Sequence, residues 1–489
     1  MIITRIYEWA RRTPAHAAIV WNGTTVTYAR YAQGIEAVRT TLSKAGLRPG
    51  STAVVIIRSL LDGWTAVTAL HALGVDTVAV NSIEDAQALG LPDVSGIVID
   101  QDALQRNMVK DSPWPGARVI MMPMDLYANI PPGALPGPPP EGGPQGGHIL
   151  YTSGTTGTYK KLSLDGKDED AFCAQRAAWE AMTPDTIWYI AYLGMWTAIG
   201  FKFPPAVWHA GGCVVFEQRR DWAELFFRQR VTHAMLIPHM VDRLLECREN
   251  LSPEPAFGHW SLVVAGGFLP ATSARAVLAR LTDHLDITYG TTELCGRIMD
   301  TRVSAVEDMH WLRPCNGRIL EIVDEDGHAC PIGTEGRLRV RLTPLDCDHY
   351  LDDPQATARM FRDGCFYPGD MAVRREDGGI RVLGRSTDVL NFRGKKLAAA
   401  PLELSLQEKL GARAVCLFSG LDAAGQNEIT IAMESDRSFT QSEMERLEAE
   451  LRDYGQVRFA ALEEFPVTTT GNRKVNRVAL RKLLYPGQA

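Results

Sequence analysis

The chain has 489 residues, 51 Lys+Arg against 58 Asp+Glu, a formal net charge of −7, and a content of 45% hydrophobic and 22% charged residues. This is the mix of a globular protein whose core needs no disulfide or metal staple. At about 150 residues per domain the length fits two to four units. The mild acidity excludes a protein that chiefly coats nucleic acid or anionic membrane, since both leave a basic footprint; a local basic site for a phosphorylated small molecule stays open.

The nine cysteines are scattered, odd in number and never spaced Cys-x-x-Cys. That speaks against a disulfide framework and a structural zinc, and fits a reducing cytoplasm. The first residues lack an apolar core followed by a small-residue cleavage site, so no signal peptide is expected. The most apolar stretch, 53–80, is cut by Arg58, Asp62, His71 and Asp76. Its pieces are far shorter than the ~20 apolar residues a membrane helix requires. A soluble, cytoplasmic protein with no membrane span is the expectation.

In chain order, 53–57 reads as a strand, 61–73 as a helix, and 75–80, 96–100 and 118–122 as further strands. Near-continuous apolar strands separated by helices imply parallel sheets buried on both faces. The pattern continues at 187–192, 213–216, 234–237, 262–265 and 287–289. Each of these ends in a polar or glycine-rich turn, where open α/β sheets place ligands. Residues 129–147, rich in proline and glycine, read as a surface connection. Beyond Arg318 the style changes: 318–323, the turn 324–327 and 336–342 read as antiparallel hairpins. From about Asp388, strands at 414–418 and 428–433 and a helix over 441–454 suggest a small α+β domain.

Five motifs carry chemistry. The first is Tyr-Thr-Ser-Gly-Thr-Thr-Gly-Thr-Tyr-Lys-Lys-Leu at 151–162, directly after a strand. Its glycines permit tight bends, its hydroxyls and amides donate, and Lys160 and Lys161 add charge, which suits a polyphosphate. It is no Walker loop, because Lys-Ser/Thr does not follow the second glycine. The second is Ile-Thr-Tyr-Gly-Thr-Thr-Glu at 287–293. Here Tyr289 offers a face to a base, Thr292 a hydroxyl, and Glu293 a hard oxygen suited to Mg²⁺ beside phosphates. The third, Phe-Tyr-Pro-Gly-Asp at 366–370, sets a carboxylate after a glycine turn, able to accept two ribose hydroxyls. The fourth spans 383–397 at the suspected domain junction, and the fifth is Thr-Gly-Asn-Arg-Lys-Val-Asn-Arg at 470–477.

In this order and spacing the five motifs resemble the adenylate-forming superfamily, which includes acyl- and aryl-CoA ligases, adenylation domains of non-ribosomal peptide synthetases, and luciferases. The resemblance implies an α/β protein. A large N-terminal domain, 1–384, would have parallel-rich sheets flanked by helices plus a β-rich subdomain. A small mobile C-terminal α+β lid, 385–489, would carry the catalytic lysine. It further implies that Thr152, Ser153, Gly154, Thr155, Thr156, Gly157 and Lys160 hold the β- and γ-phosphates of ATP. Gly266, Gly267 and Tyr289 would clamp adenine, Thr292 would reach the α-phosphate, and Glu293 would hold Mg²⁺. Asp370 matches the ribose-binding aspartate, Arg385 the arginine opening the hinge motif, and Lys474 best matches the catalytic lysine. The chain departs from the usual pattern at Tyr159 and Lys161 around Lys160, at Pro368, at Thr387 in the hinge, and at Asn472-Arg473. None of these removes a charge that adenylation needs; they bear on the hinge and the second half-reaction.

Amino-acid-activating relatives usually carry an aspartate that holds the α-ammonium. The matching stretch 189–201 has no acid, and burying an ammonium there without a partner is costly. An apolar or aromatic carboxylic acid without an α-amino group is therefore the expected substrate. Met195, Trp196, Phe201, Phe268, Leu294, Cys295 and Ile298 are expected to form its pocket, with His239 within reach. The expected function is ATP-dependent formation of an acyl-AMP with release of pyrophosphate, then transfer to a thiol, CoA or a carrier protein. The alternatives are transfer to an amine and a non-catalytic adenylate-binding relative.

Overall fold

A computed structural model describes residues 2–107, 114–123, 126–130, 133, 135, 137, 143–153, 159–191, 193–251, 258–392, 395–421, 427–435, 439–451, 456–467 and 475–485. Two large sheets dominate it. In one, strands run in the order Arg313–Pro314, Met299–Arg302, Thr282–Tyr289, Gly258–Val264, His233–Leu236, Ile187–Ala191, Cys213–Glu217, Ala17–Trp21 and Thr24–Thr27. Its middle, from Thr282–Tyr289 to Ala17–Trp21, is parallel. The other has Arg118–Met121, Gly96–Ile99, Thr52–Ile56, Asp76–Ala79, His148–Ser153 and Tyr159–Leu164, parallel except for the final hairpin. One apolar cluster joins the sheets through the helices between them, with Trp64, Trp208, Tyr28 and Tyr31 fully buried. The apolar strand runs thus occupy the doubly covered interior that their composition requires.

Local rules set the element ends. The helix expected over 61–73 forms as Leu60–His71, because the Ser59 hydroxyl accepts from the Asp62 amide and caps its first turn. The strand expected over 287–289 extends back to Thr282. Asp283 and His284 there are exposed and gave no apolar signal. Residues 129–147 do not end as the expected surface connection. Gly146 and Gly147 are buried, and a Cβ at Gly146 would overlap the Val75 carbonyl, so only glycine fits this approach.

A third, antiparallel sheet holds Leu320–Val323, Gly336–Arg341, Asp370–Arg374 and Ile380–Arg385. After it come the hairpin Val389–Phe392 with Lys395–Ala398 and the helix Ala399–Leu410. A three-stranded sheet of Ala414–Leu421, Asn427–Glu434 and Gln456–Leu462 follows, with its own apolar core. The helix expected over 441–454 is described as Gln441–Leu451, and residues 452–454 lie outside the described residues. Among the described residues no helix is long and apolar enough to cross a membrane.

Candidate active site

Four neighbouring parallel strands, Ile187–Ala191, His233–Leu236, Gly258–Val264 and Thr282–Tyr289, end at one edge of the large sheet. The turns leaving them carry Met195 and Trp196, His239, Gly266 to Phe268, and Thr292 to Cys295. The carboxyl edge of a parallel sheet thus gathers residues a hundred positions apart, at the place where such sheets bind ligands.

The turn after Thr282–Tyr289 is fixed from several sides. Lys202, 4% exposed, donates from Nζ to the carbonyls of Thr292 at 2.8 Å and Leu294 at 3.1 Å. It ends the short helix Ala198–Lys202, which the Thr197 hydroxyl caps by accepting from the Gly200 amide. Burial lowers the Lys202 pKa, because the interior favours the neutral amine. The Cys347 amide donates to the Glu293 carbonyl at 3.0 Å. The Cys295 amide donates to Asp346 at 2.6 Å, and Arg318 donates both to the Cys295 carbonyl and, at 2.7 Å, to the same Asp346 carboxylate. Arg318 and Asp346 side chains are 1% and 0% exposed. Burial works against the Asp346 charge, yet Arg318 holds that carboxyl below its ordinary range. Sequence reasoning missed all three anchors. Lys202 left a trace as a lone cation within Phe201-Lys202-Phe203; Arg318 and Asp346 left none.

Three motifs meet through side chains. The Tyr289 hydroxyl donates to Asp370, whose other carboxylate oxygen lies 3.3 Å from Arg385 Nε. Arg385 also donates to the Pro368 carbonyl. Glu293 is buried, and one of its oxygens accepts from the Tyr350 hydroxyl at 2.7 Å. The other accepts no hydrogen bond among the described residues. Burial, followed by the Glu293 charge, raises the Tyr350 hydroxyl far above its ordinary pKa and keeps it a donor. Lys160 Nζ lies 5.1 Å from the centre of the Tyr350 ring. Burial lowers the Lys160 pKa against the opposing pull of Glu293, with Arg359 and Arg385 lowering it further.

Lys160 and Thr152 face each other across the hairpin of His148–Ser153 and Tyr159–Leu164. Lys161 does not join them, contrary to the expectation that both lysines supply charge to the loop. Strand alternation turns it into the interior, where Nζ donates to the Leu89 carbonyl at 2.8 Å and pairs with Asp352 at 3.1 Å. Gly154, Thr155, Thr156, Gly157 and Lys474 lie outside the described residues, as does the Ser153 side chain. Arg477, just after Lys474, pairs with Glu403 at 2.7 Å and sits 3.9 Å from Asp388.

Of the residues expected to surround the acid, Met195, Leu294 and Cys295 are each 1% exposed and packed into the interior. Trp196 and Phe268 are half-buried, and His239 is exposed on the first turn of Pro238–Asn250. Phe201 stacks on His148, with ring centroids 3.6 Å apart and planes 8° apart, and on Trp64 at 5.3 Å. Phe268 meets His310 edge-on at 5.6 Å. Burial, aided by Arg381, holds the His310 pKa down to about 4. Burial, aided by His71, holds His148 well below the histidine range.

This architecture is that of the adenylate-forming enzymes. An anthranilate CoA ligase, AuaEII, in complex with anthranoyl-AMP superposes with a TM-score of 0.82 at 17% identity, covering 98% of this chain and 96% of that one. The chain belongs to the AMP-binding enzyme family, which matches residues 6–344. Among characterised relatives, a 4-hydroxybutyrate–CoA ligase 2 of Metallosphaera sedula is 25% identical over 352 residues, 68% of this chain and 63% of that protein. The matched stretch therefore spans less than two thirds of that relative's length. A 2-hydroxy-7-methoxy-5-methyl-1-naphthoate–CoA ligase of Streptomyces carzinostaticus is 26% identical over 442 residues, 82% of this chain and 77% of that protein.

Proposed function

We propose that the chain activates an apolar or aromatic carboxylic acid with ATP, releasing pyrophosphate and forming an acyl adenylate. A thiol, of CoA or of a carrier protein, then takes the acyl group. The observation that carries this reading is the meeting of Lys160, Tyr289, Glu293, Asp370 and Arg385 at the edge where the strands end. Membership of a family whose characterised relatives include CoA ligases for 4-hydroxybutyrate and a substituted naphthoate supports it.

An acid oxygen attacks the α-phosphorus in line while pyrophosphate leaves, so two anions must be brought together and charge must move to the leaving group. Lys160, with Thr152 opposite and the loop 153–157, would take the outer phosphates. Glu293 suits Mg²⁺, since one of its oxygens is oriented by Tyr350 and the other has acceptor capacity. The ion, when bound, neutralises phosphate charge. Asp370, a carboxylate held beside Tyr289 and Arg385, has the acceptor chemistry that ribose hydroxyls need. Gly266 and Gly267, exposed after their strand, leave the backbone open to the flat face of adenine. Thr292 would reach the α-phosphate, and Lys474, brought by a lid of residues 385–489, would neutralise the charge between acid and α-phosphate. Trp196, Phe268 and His239 would face the acid, backed by Met195, Leu294 and Cys295.

Acid-dependent exchange of labelled pyrophosphate into ATP tests this reading. Exchange with one class among fatty, aryl and amino acids, lost in Lys474→Ala, is expected. Adding CoA, then carrier protein, then amines identifies the acceptor. No exchange with any acid would overturn the assignment.

A further inference from the structure

We propose that Tyr350 is a positioning residue for the magnesium–nucleotide, holding Glu293 ready for the metal and giving Lys160 a seat beside it; this rests on the acid-activation reading above. Tyr350 belongs to none of the five motifs. It lies between Gly336–Arg341 and Pro354–Met360, and it is 2% exposed. Its backbone is tied down on both sides: the Tyr350 amide donates to the Thr357 hydroxyl at 3.0 Å, and the Leu351 amide donates to the Lys161 carbonyl at 2.8 Å. The second bond stitches this segment to the strand that carries Lys160. Phe361 closes on the ring at 5.2 Å and 65°.

So fixed, the side chain has two working ends. Its hydroxyl occupies one oxygen of Glu293 at 2.7 Å, which stops the carboxylate from spinning and leaves the second oxygen to present to a hard cation. Its ring face lies 5.1 Å from Lys160 Nζ, a cation–π contact that is strengthened by partial burial. The Glu293 charge attracts Lys160, and without a third group the two would tend to pair, each blocking the other's ligand. The ring offers the ammonium a weaker partner that it can leave when phosphates arrive.

Binding of ATP measured by calorimetry with Mg²⁺ and in EDTA, together with pyrophosphate exchange, tests this. Tyr350→Phe keeps the ring and removes the hydroxyl, so affinity for Mg·ATP should fall roughly tenfold, the lower range for a lost hydrogen bond to a charged group. Affinity in EDTA should hold at the wild-type value. Tyr350→Leu should also weaken binding in EDTA, and adding Lys160→Ala to it should cost less than Lys160→Ala costs in the wild type. A purely structural tyrosine would instead weaken both conditions alike, and equal Mg·ATP affinity in Tyr350→Phe would overturn the proposal outright. Absence of exchange in the wild type, with the magnesium-specific loss intact, would overturn acid activation and leave the positioning role standing.

Discussion

On the Glu293 side of the sheet edge the working groups are charges, each held by a neighbour from another element: Glu293 by Tyr350, Asp370 by Tyr289 and Arg385, Lys160 by the Tyr350 ring. A second set is built of rings packed on rings, with Phe201 stacked on His148 and Trp64, and Phe268 against His310. The first arrangement fixes the orientation of charges. The second buries rings in the main apolar core and fixes shape. Substitutions on the two sides should therefore fail in different ways.

The largest effect is expected on the ring side. Phe201→Ala removes a buried ring and should cost about 3–5 kcal/mol of stability, read as a drop in the urea midpoint; a change within error would mean the wall tolerates collapse. Lys474→Ala should slow acid-dependent exchange roughly 10²–10³-fold, as loss of an electrostatic group does elsewhere, with an unchanged urea midpoint. Glu293→Gln keeps the shape and removes the charge, and should raise the Mg²⁺ concentration for half-maximal exchange about tenfold or more. A loss of folding instead would place Glu293 with the structural groups and blur the comparison. Trp196→Ala should shift preference toward bulkier acids by roughly tenfold in relative kcat/KM, while leaving exchange with the best acid intact.

The smallest effect is a pH dependence to which the ring side contributes. His148 and His310 are held neutral in the folded chain, His310 down to about 4. Unfolded histidine binds its proton near pH 6.5. Below that point the unfolded state takes up more protons, so this contribution is complete above about 6.5 and is lost as pH falls toward 4. Urea midpoints between pH 7.5 and 5 should decline, and His310→Gln should flatten part of the decline. An equal slope in the variant would remove His310 from the account.

The strand runs near 187, 234, 262 and 287 were legible because doubly buried strands must be apolar throughout. The charges that gather at their ends were legible because each sits in a short motif. Tyr350, Asp346 and Arg318 were not, since their importance comes from partners 57, 51 and 28 positions away that no local pattern announces. Lys161 was misread for a simpler reason. Two adjacent lysines look like one positive patch until the strand's two-residue period sends one of them inward.

Gly194 has no side chain, and the six-membered ring of Trp196 lies where its Cβ would be, so a Cβ there would overlap the indole. The indole is thus parked on bare backbone as well as against the apolar core, and its pose depends on an omission two residues earlier. A methyl at 194 would turn the indole out of that berth. If Trp196 faces the acid as proposed, a side chain at 194 would alter that pocket from a position that does not line it.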